Sequence, residues 1–86
     1  MTFEGAVIRE QGVTFAVMAV QSHVLNMRSD ADDVIQSFRG VFGGIPVVLM
    51  SQDGRGRPTY YGRPDIARFM SGVPLGMVRW KRYTLS

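Results

Sequence analysis

The chain has two apolar runs in which nearly every position is hydrophobic. Val13–Val20 is the first and Ile45–Met50 is the second, and both are rich in residues that favour strands. Strands that are hydrophobic at successive positions are typically buried on both faces of a sheet. The first run therefore predicts a strand in the middle of a sheet, and the second predicts another buried strand.

Two weaker strand patterns lie towards the ends of the sequence. Phe3–Arg9 mixes apolar and polar residues and is joined to the first apolar run by a turn at Gly12, which predicts a hairpin with Phe3–Arg9 at the sheet edge. Met77–Tyr83 alternates, with Val78 and Trp80 on one face. This alternation predicts a last, half-exposed strand.

Apolar residues recur at helical spacing after Ser29. They are Ala31, Val34, Ile35, Phe38 and Phe42. The i, i+3, i+4, i+7 spacing is that of one helix face, and Ser29 is a suitable N-cap. Acidic residues after Ser29 suit the positive end of the helix dipole, and Gly43–Gly44 can end the helix in the left-handed conformation.

The second half of the chain contains a hairpin and a shorter helix. The turn residues Asp53–Arg57 join the second apolar run to a strand over Pro58–Tyr61. Pro64 fits the first position of a helix, and the helical spacing continues until Gly72 and Pro74 end it.

These elements follow the order β-β-α-β-β-α-β. We therefore predict a single α+β domain over residues 1–86, with a five-stranded mixed sheet and two helices. After the first strand, the order matches the βαββαβ pattern of ferredoxin-like folds.

The segment Ile45–Val73 also resembles the C-terminal half of a thioredoxin fold. In both, Ile-Pro is followed by an apolar strand, an Asp-Gly turn, a second strand, a glycine and an amphipathic helix. The resemblance implies a cis bond between Ile45 and Pro46. It does not extend to redox chemistry, because the sequence has no cysteine.

The length of 86 residues leaves no room for a second independent core. A domain of this size buries only about 60% of the surface of its unfolded chain, so a second copy that covers an apolar face would add stability. Hydrophobic residues make up 45% of the chain, which predicts a folded rather than a disordered protein.

The absence of cysteine excludes disulfides, thiol catalysis, iron–sulfur ligation and thiolate zinc sites. The N-terminal segment lacks the basic start and apolar run of a signal peptide, and no stretch approaches the ~18 apolar residues of a membrane span. We therefore expect a cytoplasmic protein with no membrane partner and no cofactor.

No group of residues has the spacing of a catalytic or metal site. His23 is the only histidine and has no neighbouring carboxylate. Asp30, Asp32 and Asp33 lack the glycine and distant glutamate of a calcium loop and suit the start of a helix. Asp53–Arg57 lacks the ending of a P-loop and indicates a hairpin turn. We predict no catalytic residue and no metal ligand.

Basic residues concentrate in the C-terminal half, where aromatic residues are interleaved with them. Residues 44–86 carry seven basic and two acidic side chains, whereas residues 1–43 carry three and five. Such a composition can bind single-stranded nucleic acid, because bases stack on rings while guanidinium groups contact phosphates. The alternative is that Trp80 and one tyrosine complete the core while the arginines face solvent. The candidate binding residues are Arg55, Arg57, Tyr60, Tyr61, Arg63, Arg79, Trp80, Lys81 and Arg82.

Three functions are compatible with the sequence. The leading hypothesis is a non-enzymatic interaction domain that forms a homodimer or docks on a protein partner, since the chain is rich in methionine and aromatic side chains that suit contact surfaces. Weak binding of single-stranded nucleic acid is the alternative. An enzyme whose site is completed across a dimer interface is the third.

Overall fold

The structure is a computed structural model that describes residues 1–10 and 12–85. Its strands and helices are β1 (Thr2–Glu10), β2 (Val13–Ala19), α1 (Arg28–Arg39), β3 (Val47–Gln52), β4 (Pro58–Tyr61), α2 (Pro64–Ser71) and β5 (Lys81–Thr84). The strands form one mixed sheet in the order β4-β3-β2-β1-β5, in which β2 and β3 are parallel and the other pairs antiparallel. The predicted α+β class, five-stranded mixed sheet and two helices are confirmed.

The two helices cover opposite faces of the sheet. Side chains alternate between the faces along each strand, so each face has its own core. The core on the α2 face consists of Ala6, Phe15, Val17, Val48, Met50, Ile66, Met70 and Val78. The core on the α1 face consists of Phe3, Ala16, Met18, Ala31, Val47 and Leu49. Because β2 contributes to both cores and has a strand on each side, its apolar run is buried in the middle of the sheet, as predicted.

The two parallel strands β2 and β3 are hydrogen-bonded neighbours. In the split β-α-β arrangement of ferredoxin-like folds, a further strand is inserted between such a pair. The chain thus has the predicted βαββαβ order of elements after β1, combined with a different order of strands in the sheet. Within residues 1–10 and 12–85 no peptide bond is cis. The bond between Ile45 and Pro46 is therefore trans, and the expectation from the thioredoxin resemblance is wrong.

β1 lies inside the sheet, contrary to the prediction that it is an edge strand. Gly5–Glu10 pairs with β2, and Thr2–Gly5 pairs with β5 on the other side. The N–H of Leu85 donates to the carbonyl oxygen of Met1 at 2.8 Å, and the terminal amine of Met1 donates to the carbonyl oxygen of Leu85 at 3.1 Å. These bonds extend the pairing of β1 with β5, and the sheet edges are β4 and β5.

α1 begins one residue before the predicted N-cap, Ser29. The N–H of Ala31 donates to the carbonyl oxygen of Met27 at 3.1 Å, so Met27 is the N-cap and Ser29 lies inside the helix. The helix ends at Arg39. Gly43–Gly44, the predicted stop, lies in the turn after it, where the two glycines have φ angles of 74° and 87°.

The last strand is shorter than predicted. Leu75–Met77 forms a 3-10 helix, and β5 begins only at Lys81. Val78 and Trp80 nevertheless pack on the same face, against the α2 core, as their alternation predicts. Pro64 occupies the first position of α2, which is also as predicted.

Asp53 organises the turn between β3 and β4. Its Oδ1 accepts the backbone N–H of Arg55 at 2.8 Å and that of Arg57 at 2.9 Å, while its Oδ2 accepts Nε of Arg57 at 3.0 Å. The backbone N–H of Arg57, followed by that of Arg55, lowers the pKa of Asp53 from its usual value of 3.8. The predicted hairpin turn is confirmed, and the Asp53 carboxylate accepts the hydrogen bonds that close it.

Asp53→Asn is expected to destabilise the protein at neutral pH, because the neutral amide is a weaker acceptor for these N–H groups. A lowered pKa in the folded state means that the carboxylate adds stability above pH 3.8 and that this stability is lost as the pH falls through the lower, folded-state pKa. Chemical denaturation of both proteins from neutral to acidic pH measures the effect. A difference in midpoint that stays constant over this range would contradict the assignment.

Candidate functional site

A cavity of about 510 Å³ opens between α1 and the connection from β4 to α2. We call it the arginine groove, and it is lined by Arg28, Asp32, Ile35, Arg39, Pro46, Val47, Tyr61, Gly62, Arg63 and Pro64. Three arginines and one carboxylate among these residues give the groove a net positive charge. A concave surface of one charge sign attracts ligands of the opposite sign, so the groove is a candidate site for an anionic ligand.

One face of α1 forms a wall of the arginine groove. Arg28, Asp32, Ile35 and Arg39 are spaced by four, three and four residues, which keeps them on one side of a helix. Given the rise of the α-helix per residue, Arg28 and Arg39 lie about 16 Å apart along the helix axis. The groove is therefore elongated, with one arginine of α1 towards each end.

Gly62 positions the opposite wall. Its φ is +152°, and a Cβ atom there would lie 3.0 Å from Cγ2 of Val48 and 3.3 Å from the carbonyl oxygen of Val47. Glycine alone adopts this backbone conformation readily and leaves space for so close an approach. The chain can therefore turn from β4 into α2 directly against β3, which brings Tyr61 and Arg63 to the groove.

A hydrogen bond between Tyr61 and Asp32 joins the two walls. The Tyr61 hydroxyl donates to Oδ1 of Asp32 at 2.8 Å. This bond, with a smaller effect of desolvation, raises the pKa of Tyr61 above its usual value of 10.0. The phenol is therefore protonated at neutral pH and holds α1 to the end of β4.

The three arginines of the groove differ in their partners. Nε and Nη2 of Arg63 donate to the two carboxylate oxygens of Asp65 at 2.9 and 3.0 Å, and this pairing lowers the pKa of Asp65. Nη2 of Arg39 donates to the carbonyl oxygen of Gly44 at 3.4 Å, a long bond. Within the described part of the chain, Arg28 makes no ion pair. Arg28 and Arg39 therefore have donors left for a ligand.

A second cavity, of about 360 Å³, lies beside the outer half of β1. We call it the β1 groove, and it is lined by Ala6, Val7, Ile8, Glu10, Phe69, Met70, Val73, Met77, Val78 and Arg79. Two of its apolar side chains face solvent, since Val7 is 53% and Met77 75% exposed. Because β5 pairs only with Thr2–Gly5, the segment Ala6–Glu10 has no paired strand on its outer side within the described structure.

The aromatic residues of the predicted nucleic-acid surface lie on both faces of the sheet. Tyr60 and Trp80 pack against the core on the α2 face, whereas Tyr61 packs against the core on the α1 face. The hydroxyl of Tyr60 is enclosed and has no hydrogen-bond partner among residues 1–10 and 12–85, and burial raises its pKa. These rings therefore do not form one platform on which bases could stack.

The predicted basic residues are also dispersed. Three are ion-paired: Arg57 with Asp53, Arg63 with Asp65 and Arg82 with Glu4. The other three are exposed, Arg55 in the turn between β3 and β4, Arg79 beside the β1 groove and Lys81 at the start of β5. The structure brings only Tyr61 and Arg63 of the predicted residues into the arginine groove.

Arg28 and Arg39 were not among the site residues predicted from the sequence. Their spacing places them on one side of α1, but no local pattern shows that β4 lies opposite that side. His23 is exposed on the 3-10 helix Ser22–Asn26 and lines neither groove. Across the described residues, no cluster of three histidine, aspartate or glutamate side chains is arranged to hold a metal ion.

No protein-family model, curated protein or solved structure matches the chain. No helix of the described residues has the length and apolar character needed to span a membrane.

Proposed function

We propose that the chain is a non-enzymatic interaction domain that forms a homodimer by pairing the outer half of β1 with the same segment of a second copy. The observation that carries the proposal is that β5 pairs only with Thr2–Gly5, which leaves Ala6–Glu10 without a paired strand on its outer side. Ala6 itself is buried, and the exposed residues of this segment are Val7, Arg9 and Glu10. At alternate residues of such a segment, the backbone N–H and C=O groups point outward in the plane of the sheet. They are the groups with which a further strand pairs.

The sequence of this segment favours a second copy as the added strand. In an antiparallel pair centred on Ile8, Val7 lies opposite Arg9 and Ala6 lies opposite Glu10. No charged residue then faces a like charge directly, which avoids the repulsion that destabilises cross-strand pairs. A twofold axis between the two Ile8 residues relates the copies, so each copy makes the same contacts with the other.

The β1 groove supplies an apolar surface for the same contact. Val7 and Met77 are exposed beside this segment, and the half-buried Ile8 and Val73 line the same groove. A second copy paired with β1 would cover these side chains. Removal of apolar area from water is the main source of stability in homodimers, and it adds to the small core of an 86-residue chain.

Val7→Lys is expected to raise the dissociation constant of the dimer at least about tenfold. The lysine would lie opposite Arg9 of the second copy and would replace an apolar contact, and symmetry makes each change occur twice. Sedimentation velocity at micromolar concentrations measures the dissociation constant.

Val41→Lys is the matched control, because Val41 is exposed in the turn after α1 and does not line the β1 groove. It carries the same change in charge and is expected to leave the dissociation constant unaltered. A strictly monomeric wild-type chain would refute the proposal, as would an equal loss of dimer in both variants.

A further inference from the structure

The arginine groove has unused positive charge at two separated points. Among the described residues, Arg28 makes no ion pair, and Arg39 has only the long hydrogen bond to the carbonyl oxygen of Gly44. The charge of Arg63 is balanced by its ion pair with Asp65. Asp32 already accepts a hydrogen bond from the Tyr61 hydroxyl. The free guanidinium groups of α1 thus mark the two ends of the groove.

Apolar residues also line the groove. They are Ile35 on the α1 wall, Pro46 and Val47, and Asp32 is the one carboxylate in the lining. The second carboxylate oxygen of Asp32 takes no hydrogen bond from residues 1–10 and 12–85 and can accept a donor from a ligand. The groove therefore combines two available guanidinium groups, apolar lining residues and one carboxylate acceptor between the two arginines.

We propose that the arginine groove binds an acidic segment of a partner protein in extended conformation. An extended chain advances by about 3.3 Å per residue, so about five residues span the distance between Arg28 and Arg39. Carboxylates near the ends of such a segment would form charge-assisted, bidentate hydrogen bonds with the two guanidinium groups. A backbone N–H between them would donate to Asp32.

The groove suits a peptide better than a single-stranded nucleic acid. Nucleic-acid sites of that kind stack successive bases on several aromatic rings. The arginine groove has one aromatic residue, Tyr61, and its hydroxyl is engaged by Asp32.

The two binding surfaces lie at opposite sides of the sheet. The arginine groove adjoins β4, and the β1 groove adjoins the outer side of β1, with β2 and β3 between them. A dimer formed through β1 would therefore leave both of its arginine grooves open. Binding of an acidic segment goes beyond self-association and can be tested independently of it.

The test uses a short fluorescein-labelled peptide in which glutamate alternates with glycine. Fluorescence anisotropy at low salt is expected to show binding that weakens as salt increases. Arg28→Gln and Arg39→Gln are each expected to raise the dissociation constant about three- to tenfold. Both arginines are exposed, so circular dichroism should report an unchanged fold for the two variants.

Arg55→Gln is the control with the same loss of charge, because Arg55 is exposed in the β3–β4 turn and does not line the groove. It is expected to bind the peptide as the wild type does. Absence of binding at low salt would overturn the proposal, and so would an equal loss of affinity in Arg55→Gln. Tighter binding of an oligothymidylate than of the glutamate peptide would replace it with a nucleic-acid site.

Discussion

Phe15→Ala is expected to lower the free energy of unfolding by about 3–5 kcal/mol. Phe15 is 2% exposed in the central strand β2, and its ring packs edge-on against Phe69 of α2 at a centroid distance of 6.3 Å. Removing the ring leaves a cavity between the sheet and α2 that the surrounding side chains fill only in part. A small domain has a total stability of only about 5–15 kcal/mol, so the variant should be close to unfolding.

Urea denaturation followed by circular dichroism measures this loss. Phe42→Ala is the matched control, since Phe42 is half-buried at the periphery of the α1 core and contacts Phe3 and Tyr83 there. Phe42→Ala should lower the free energy of unfolding clearly less than Phe15→Ala does. Equal costs at the two positions would show that the core between β2 and α2 is not the main source of stability.

Gly62→Ala is expected to destabilise the protein by about 2–4 kcal/mol. The alanine would have to adopt a φ of +152°, and its Cβ would lie 3.0 Å from Cγ2 and 3.2 Å from Cα of Val48. Relief of this contact would require the β4–α2 connection to move away from β3. The variant should therefore also lose affinity for the glutamate peptide, because Tyr61 and Arg63 would move with the connection.

Gly40→Ala separates this effect from the general effect of replacing a glycine. Gly40 has φ −64° and ψ −32°, which alanine adopts easily, and a Cβ there would meet no atom within 4 Å. This substitution should leave the free energy of unfolding unchanged or raise it by at most about 1 kcal/mol, because alanine restricts the conformations of the unfolded chain. Thermal or urea denaturation compares the variants, and similar losses at both glycines would contradict the role assigned to Gly62.

The elements that are encoded locally could be predicted from the sequence. The apolar runs of β2 and β3, the hairpin turns and the helical spacing of α1 and α2 each depend on a few neighbouring residues. The position of β1 inside the sheet could not be predicted, because it depends on pairing between Thr2–Gly5 and Lys81–Thr84 at the other end of the sequence. The N-cap of α1 was misplaced because the carbonyl oxygen of Met27, rather than the Ser29 side chain, begins the helix.

The candidate sites were less predictable than the fold. Tyr60 and Tyr61 are adjacent in sequence, yet their side chains lie on opposite faces of the sheet because side chains alternate along a strand. Aromatic and basic residues that are close in sequence therefore do not form one surface. The arginine groove combines Arg28 and Arg39 with a connection more than twenty residues away in sequence. Only the three-dimensional structure shows which face of α1 lies opposite β4.

The pairing of Thr2–Gly5 with β5 has a consequence for the order of events during synthesis. β1 and β2 leave the ribosome first among the strands, and β5 follows only after both helices. Until then no strand pairs with the outer side of β1. Unpaired strand edges of this kind are where incompletely folded chains tend to associate. Pairing of β5 with Thr2–Gly5 then leaves only Ala6–Glu10 without a paired strand on the outer side of β1.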